Sequence, residues 1–142
     1  MTAFRPITAH FSAAPQISVA DVAYAAQAGF KAIICNRPDN EDVGQVSAEA
    51  IAAACKSHHL GFTHIPISGP ADPISIETMR TAIEAADGPV LAYCRSGTRS
   101  TNLWALARAS AGADPDGLVE AAGGAGYDLH GLVPMLRSVK PK

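Results

Sequence analysis

The segment Cys94-Arg95-Ser96-Gly97-Thr98-Arg99-Ser100 puts a thiol, two guanidinium groups, three hydroxyls and a glycine into one short turn. A free cysteine is usually an inert, buried small hydrophobe. Arginines directly after Cys94 and again at Arg99, with Gly97 between them, argue against inert burial here. Gly97 lets the backbone bend without a Cβ clash. Backbone N–H groups of such a turn converge on an anion, and a helix N-terminus adds partial positive charge. Arg99 can fork two hydrogen bonds onto an oxyanion, and Arg95 adds a second positive field. Ser96 and Thr98 belong to the same anion-binding turn, and Ser100 can donate to the sulfur or cap the helix. This field favours the thiolate of Cys94, which is the nucleophilic form. The chemistry indicated is nucleophilic attack by sulfur at an anionic group.

Such a turn needs a strand to deliver it and a helix to receive it. Val90–Cys94 reads as a buried strand, and a helix is predicted from about Arg99 to Ala111. Along the chain, apolar runs alternate with helical patterns, which predicts βαβ units and a parallel sheet. "ITAHFSAAP" predicts a first strand or strand pair, followed by strands at Lys31–Cys35 and Phe62–Ile67. Ser18 and Asp21 form a capping-box pattern for a helix ending at Gly29. Further helices are predicted from Ser47 through His59, closed by Gly61, and from Ser75 to about Asp87. Asp114-Pro115 opens another, to about Ala122, and a last helical turn or two lies near Leu132–Ser138. There are no repeats and no linker. The expectation is one α/β domain over residues 1–142, with a mostly parallel sheet of four or five strands and helices on both faces. Binding crevices of parallel sheets lie beyond the carboxyl ends of the strands. Cys94 and Cys35 both end strands there.

The 142 residues are 48% hydrophobic and 17% charged, with a formal net charge of -2. That balance supports a proper core and gives no reason to expect nucleic acid or an anionic membrane as partner. No apolar run approaches the roughly 18 residues of a membrane span. No secretory signal is legible at the start. Cys35, Cys55 and Cys94 are odd in number and widely spaced, so neither a disulfide framework nor a zinc site is expected. A cytoplasmic location with a working thiol fits this usage. No cofactor is called for.

Cys-Arg-Ser-Gly-x-Arg-Ser resembles the active loop of rhodanese-type sulfurtransferases. The chain from about Pro6 to Leu136 resembles the bacterial family called beta-lactamase hydrolase-like protein, phosphatase-like domain. The resemblance rests on "NRPDNE" (Asn36–Glu41), "HIPI" (His64–Ile67), "GPVLAYCRSGTRS" (Gly88–Ser100) and "AGYDL" (Ala125–Leu129). It implies a fold similar to that of dual-specificity phosphatases. It also implies occurrence alone or fused to persulfide-oxidising metallo-hydrolase domains, so that a persulfide dioxygenase is an expected functional partner.

Between phosphate and sulfur chemistry, three features favour sulfur. Cysteine phosphatases resembling this fold place five residues between cysteine and arginine, whereas four separate Cys94 from Arg99. Tyr93 stands where they carry histidine. Ser68 and Gly69 stand where their aspartate general acid is expected, and that proton donor is worth about 10²–10⁴ in rate. A persulfide transfer does without the acid. The expectation is therefore a sulfurtransferase working through a Cys94 persulfide, between a small-molecule or protein sulfur donor and a thiol acceptor. The alternatives are a cysteine-dependent phosphatase acting on phosphotyrosine or a small phosphate ester, and a non-catalytic anion-binding or redox-sensing module.

Other residues carry weaker signals. Cys35 is either a resolving thiol or a core cysteine. Arg37 either reaches the anion pocket or pairs with Asp39 or Glu41. Asp39, Glu41 and Asp42 form either an acidic pair for proton transfer or a solvated loop. Asp72 is the substitute general acid, with a turn role beside Pro70 and Pro73 as its rival. His58, His59 and His64 do not have metal-site spacing. Cys55 and Trp104 read as core, and Tyr127 and Asp128 read as pocket lining or packing.

Overall fold

The computed structural model describes residues 2–142. Five strands form one sheet in the order β1-β2-β5-β3-β4. β1 (Arg5–Thr8) and β2 (Phe11–Ala14) make an antiparallel hairpin, so the first apolar segment is a strand pair. β3 (Ala32–Cys35), β4 (Gly61–His64) and β5 (Val90–Tyr93) run parallel to one another and to β2. β5 lies at the centre and is buried on both faces, as its unbroken apolar run requires.

Strand alternation divides the core in two. Leu91, Tyr93, Ile33 and Cys35 face a layer that includes Val22 and Ala25 of α1 (Val19–Gln27) and Ile51 and Cys55 of α2 (Ala48–Ser57). Val90, Ala92 and Ile34 face α3 (Pro73–Ala85), α4 (Thr98–Ser110), α5 (Pro115–Gly124) and α6 (Val133–Val139). A 3-10 turn over His130–Leu132 precedes α6. α4 is enclosed by the sheet and its helical neighbours, and Leu103, Trp104, Leu106 and Ala109 are all buried. Trp104 is buried and stacks on Phe11 with ring centroids 5.5 Å apart, so it is core. No helix among the described residues is long and apolar enough to cross a membrane.

Local signals account for most boundaries. Ser18 and Asp21 form the capping box of α1, through bonds of 3.2 and 2.8 Å. β4 spans Gly61–His64 and stops short of the expected Ile67, and three helix ends also differ from expectation. α2 stops at Ser57 because His59 takes the left-handed φ of 59°, and Gly61 belongs to β4. α3 opens at Pro73, capped by Asp72, and not at Ser75. α4 opens at Thr98, one residue early, because Gly97 itself takes the cap position.

Candidate active site

The end of β5 is clamped from both neighbouring strands. Cys94 N–H donates to Ala14 O at 3.3 Å, and Asn36 N–H donates to Tyr93 O at 2.8 Å. Cys94 follows directly and is fully buried. The chain then turns through Arg95, Ser96 and Gly97 into α4. Gly97 has φ of +95°, a conformation that suits glycine, and its N–H donates to Cys94 Sγ at 3.1 Å. Ser96 Oγ donates to Thr98 Oγ1 at 3.1 Å and accepts from Thr98 N–H at 3.3 Å. These hydroxyls therefore brace the turn. Thr101 N–H returns to Gly97 O at 3.0 Å as the first bond of the helix. The amides of Arg99 and Ser100 precede it and are free of intrahelical duty. Ser100 Oγ is buried and has no hydrogen-bond partner among the described residues.

Arg99 is held by two partners. Nη1 donates to Glu41 Oε2 and to Ile67 O, and Nη2 donates to Glu41 Oε1, each at 2.8 Å. None of these bonds uses Nε. The Arg99 guanidinium holds Glu41 down to about 2, against the opposing effect of burial and with Arg37 assisting. Glu41 raises Arg99 in return.

Of the two readings for Arg37, the structure shows the pairing with Glu41 and not a reach into the anion pocket. Its side chain is buried and fully engaged: Nε with Glu41 Oε1 at 2.9 Å, Nη1 with Gln16 Oε1 at 2.9 Å, and Nη2 with Asp42 Oδ2 at 2.6 Å. A buried guanidinium needs such partners. Arg37 is thus the anchor of the 36–45 loop. Asp42 also meets Arg95 Nε at 3.4 Å, while Arg95 itself is 68% exposed at the rim. Asp39 accepts from Ala48 N–H at 2.8 Å at the start of α2. The three acidic residues stand on an exposed loop, as expected of a solvated segment, with Glu41 and Asp42 paired to arginines and Asp39 capping α2.

Two further candidates are engaged by their own surroundings. Asp72 Oδ1 accepts from Ser75 N–H at 2.7 Å as the N-cap of α3, so its carboxylate is engaged at a positive helix end. Cys35 is paired in register with Tyr93, one residue short of Cys94. It lies in the core on the α1–α2 side, its Sγ 3.4 Å from Arg37 O, and burial pushes its thiol up.

Tyr127 reaches the turn from the segment after α5. Its hydroxyl donates to Ser96 O at 3.2 Å. The Arg5 guanidinium lies 5.6 Å from the centroid of its ring, and Arg5 Nη1 donates to Ala125 O at 3.5 Å. Burial pushes the phenol of Tyr127 up. The glycine-rich context hinted at pocket lining; nothing local signalled a bond to a residue 31 positions earlier. The Glu41–Arg99 pair has no local signal either, although the i,i+4 spacing of Arg37 and Glu41 showed half of the network.

Comparison with known proteins adds an independent line. Residues 3–111 match the family described as beta-lactamase hydrolase-like protein, phosphatase-like domain. A beta-lactamase hydrolase-like protein of Xylella fastidiosa is 35% identical over 114 residues, covering 79% of this chain and 26% of that protein. One from Agrobacterium fabrum is 34% identical over 104 residues, covering 72% and 24%. The chain therefore spans about a quarter of the length of these curated relatives. A candidate phosphatase from Neisseria meningitidis superposes with a TM-score of 0.82 at 36% identity, covering 96% of this chain and 97% of that one. P. aeruginosa TpbA, solved in complex with pTyr, shares the fold with a TM-score of 0.64 at 18% identity, covering 95% and 88%.

These matches overturn the expectation of a sulfurtransferase: the family is described as phosphatase-like, and the 36% identical structure is a candidate phosphatase. The inference from the short cysteine-to-arginine spacing fails for a physical reason. The donors at the turn are Gly97 N–H and the first amides of α4, and these are present whatever the length of the ring. The α/β architecture, the sheet and the sequence match agree, and the chain belongs to the beta-lactamase hydrolase-like protein, phosphatase-like domain family.

Proposed function

We propose that this chain is a cysteine-dependent phosphatase acting on phosphate monoesters with an acidic leaving group, such as a phenol. The observation that carries this reading is the convergence at the end of β5, where Gly97 N–H points at Cys94 Sγ and Arg99 stands beside the turn with its Nε edge unbonded. The 36% identical candidate phosphatase supports it.

In the first step the Cys94 thiolate attacks phosphorus. An S–P bond forms, the ester P–O bond breaks, and the leaving group departs with the electron pair. In the second step water attacks phosphorus, the S–P bond breaks, and phosphate leaves with the thiolate regenerated. Phosphoryl transfer needs little from a protein beyond positioning and electrostatic stabilisation. Arg99, gripped end-on by Glu41 and Ile67, offers its Nε side to the non-bridging oxygens. The free amides of Arg99 and Ser100 serve the remaining oxygens. Ser100, whose buried hydroxyl lacks a partner, donates to the sulfur as it leaves phosphorus. Arg95, exposed at the rim, attracts the anionic ester.

The preference for an acidic leaving group follows from the carboxylates. Glu41 is ionised at neutral pH and engaged by two arginines, and Asp72 caps a helix. Neither is a proton donor for an alkoxide. A phenolate leaves without one.

Turnover of para-nitrophenyl phosphate tests the reading. Hydrolysis is expected, with a loss of about 10³-fold or more in Cys94→Ser, and a phosphoryl adduct on the Cys94 peptide after acid quench. Undiminished turnover in Cys94→Ser, without an adduct in the parent, would sink it.

A further inference from the structure

The peptide between Ser96 and Gly97 is held at both ends by different partners. Its oxygen accepts from the Tyr127 hydroxyl at 3.2 Å, and its N–H donates to Cys94 Sγ at 3.1 Å. The C=O and N–H of a trans peptide point in opposite directions. A contact that fixes the oxygen therefore aims the hydrogen. Local backbone preference does not choose this orientation, because glycine at position 97 is conformationally permissive. The bond to Ser96 O from outside the turn adds to the internal bracing by Ser96 and Thr98.

Tyr127 is placed for that role. A Cβ on Gly97 would lie 2.1 Å from the Tyr127 hydroxyl oxygen, so the phenol occupies the space that the missing side chain leaves open. The ring is 7% exposed and packs in the core layer with Leu118, Ala122 and Leu129. The Arg5 guanidinium closes over it from β1.

We propose that Tyr127 is a positioning residue for the nucleophile: by holding Ser96 O, its hydroxyl aims Gly97 N–H at Cys94 Sγ and so sets the reactivity of that sulfur. This rests on the reading of Cys94 as the nucleophile of a phosphatase, where the same donor also eases departure of sulfur from phosphorus.

The test is alkylation of Cys94 by iodoacetamide, followed peptide by peptide across pH in the parent and in Tyr127→Phe. Losing an aimed donor to a charged sulfur disfavours the thiolate, so the rate curve is expected to move to higher pH. Below the midpoint the rate should fall about three- to tenfold. The acid limb of kcat/KM for para-nitrophenyl phosphate should move the same way. Superimposable alkylation curves in a folded variant overturn the proposal, and a lowered Tm with an unmoved curve does so too, since it marks Tyr127 as packing only. If Tyr127→Phe does not fold, 3-fluorotyrosine at position 127 keeps the shape and strengthens the donor. It should move the curve to lower pH, and no movement overturns the proposal. Alkylation needs no turnover, so full hydrolysis by Cys94→Ser would remove the phosphatase reading while the curves still judge Tyr127.

Discussion

Glu41 and Arg99 meet through two parallel hydrogen bonds of 2.8 Å, although 58 residues separate them in the chain. The pair joins the loop after β3 to the first turn of α4. It fixes the plane of the guanidinium and takes up its Nη1–Nη2 edge, leaving Nε outside these bonds. Arg37 locks the same carboxylate from behind through Oε1.

Glu41→Gln keeps the shape of that carboxylate but loses its charge and half of its acceptor capacity. Arg99 then loses its fixed plane. The value of kcat/KM for para-nitrophenyl phosphate is expected to fall about ten- to a hundredfold, while circular dichroism stays native. Parent-like kinetics would show that Arg99 needs no such orientation.

The same pair predicts acid sensitivity. Glu41 is lowered from an ordinary 4.5 to about 2. A carboxyl lowered by folding stabilises the folded state above its unfolded value and loses that contribution as pH falls through the folded value. The gap in unfolding free energy between the parent and Glu41→Gln should be full above about pH 5, about 1 kcal/mol once solvent screening of this exposed pair is counted, and should shrink toward pH 2. Urea denaturation at several pH values measures it, and a gap that does not vary with pH refutes it.

Leaving groups should matter strongly. With Glu41 ionised and Asp72 capping α3, log kcat/KM across substituted phenyl phosphates should drop steeply as the phenol becomes less acidic. Alkyl phosphates should be slower than para-nitrophenyl phosphate by about 10² or more. A flat series would reveal a proton donor assisting the departure.

Asp72→Ala separates the two roles considered for that residue. As an N-cap, it should contribute about 1 kcal/mol of stability, and its loss should leave kcat for para-nitrophenyl phosphate within about twofold. A collapse of kcat with unchanged stability would restore Asp72 to the reaction.

The fold was legible where the signal was local. Alternating apolar runs and helix signals gave the parallel sheet, Ser18 with Asp21 gave the start of α1, and the Cys94 turn stood out by composition alone. Boundaries went astray where one residue did unexpected local work, as with His59 in a left-handed conformation and Gly97 as a helix cap. At the site, Cys94 and its turn were readable, but their surroundings were not. Arg37, Glu41, Arg99 and Asp42 form a network assembled by tertiary folding, and Tyr127 arrives from the far end of the chain. Counting residues between Cys94 and Arg99 misled about chemistry, because the free amides of Arg99 and Ser100 are presented by the helix that follows.

The residues after position 111 supply Leu118, Tyr127, Leu129 and Leu136 to the interior, and one of them braces the reactive turn. A minimal fragment trimmed to the family-matched boundary would bare the flank of α4 and leave Arg5 without its aromatic companion. Whoever grafts this module onto another protein should carry the piece through Leu136, or expect a sticky product with a slack nucleophile.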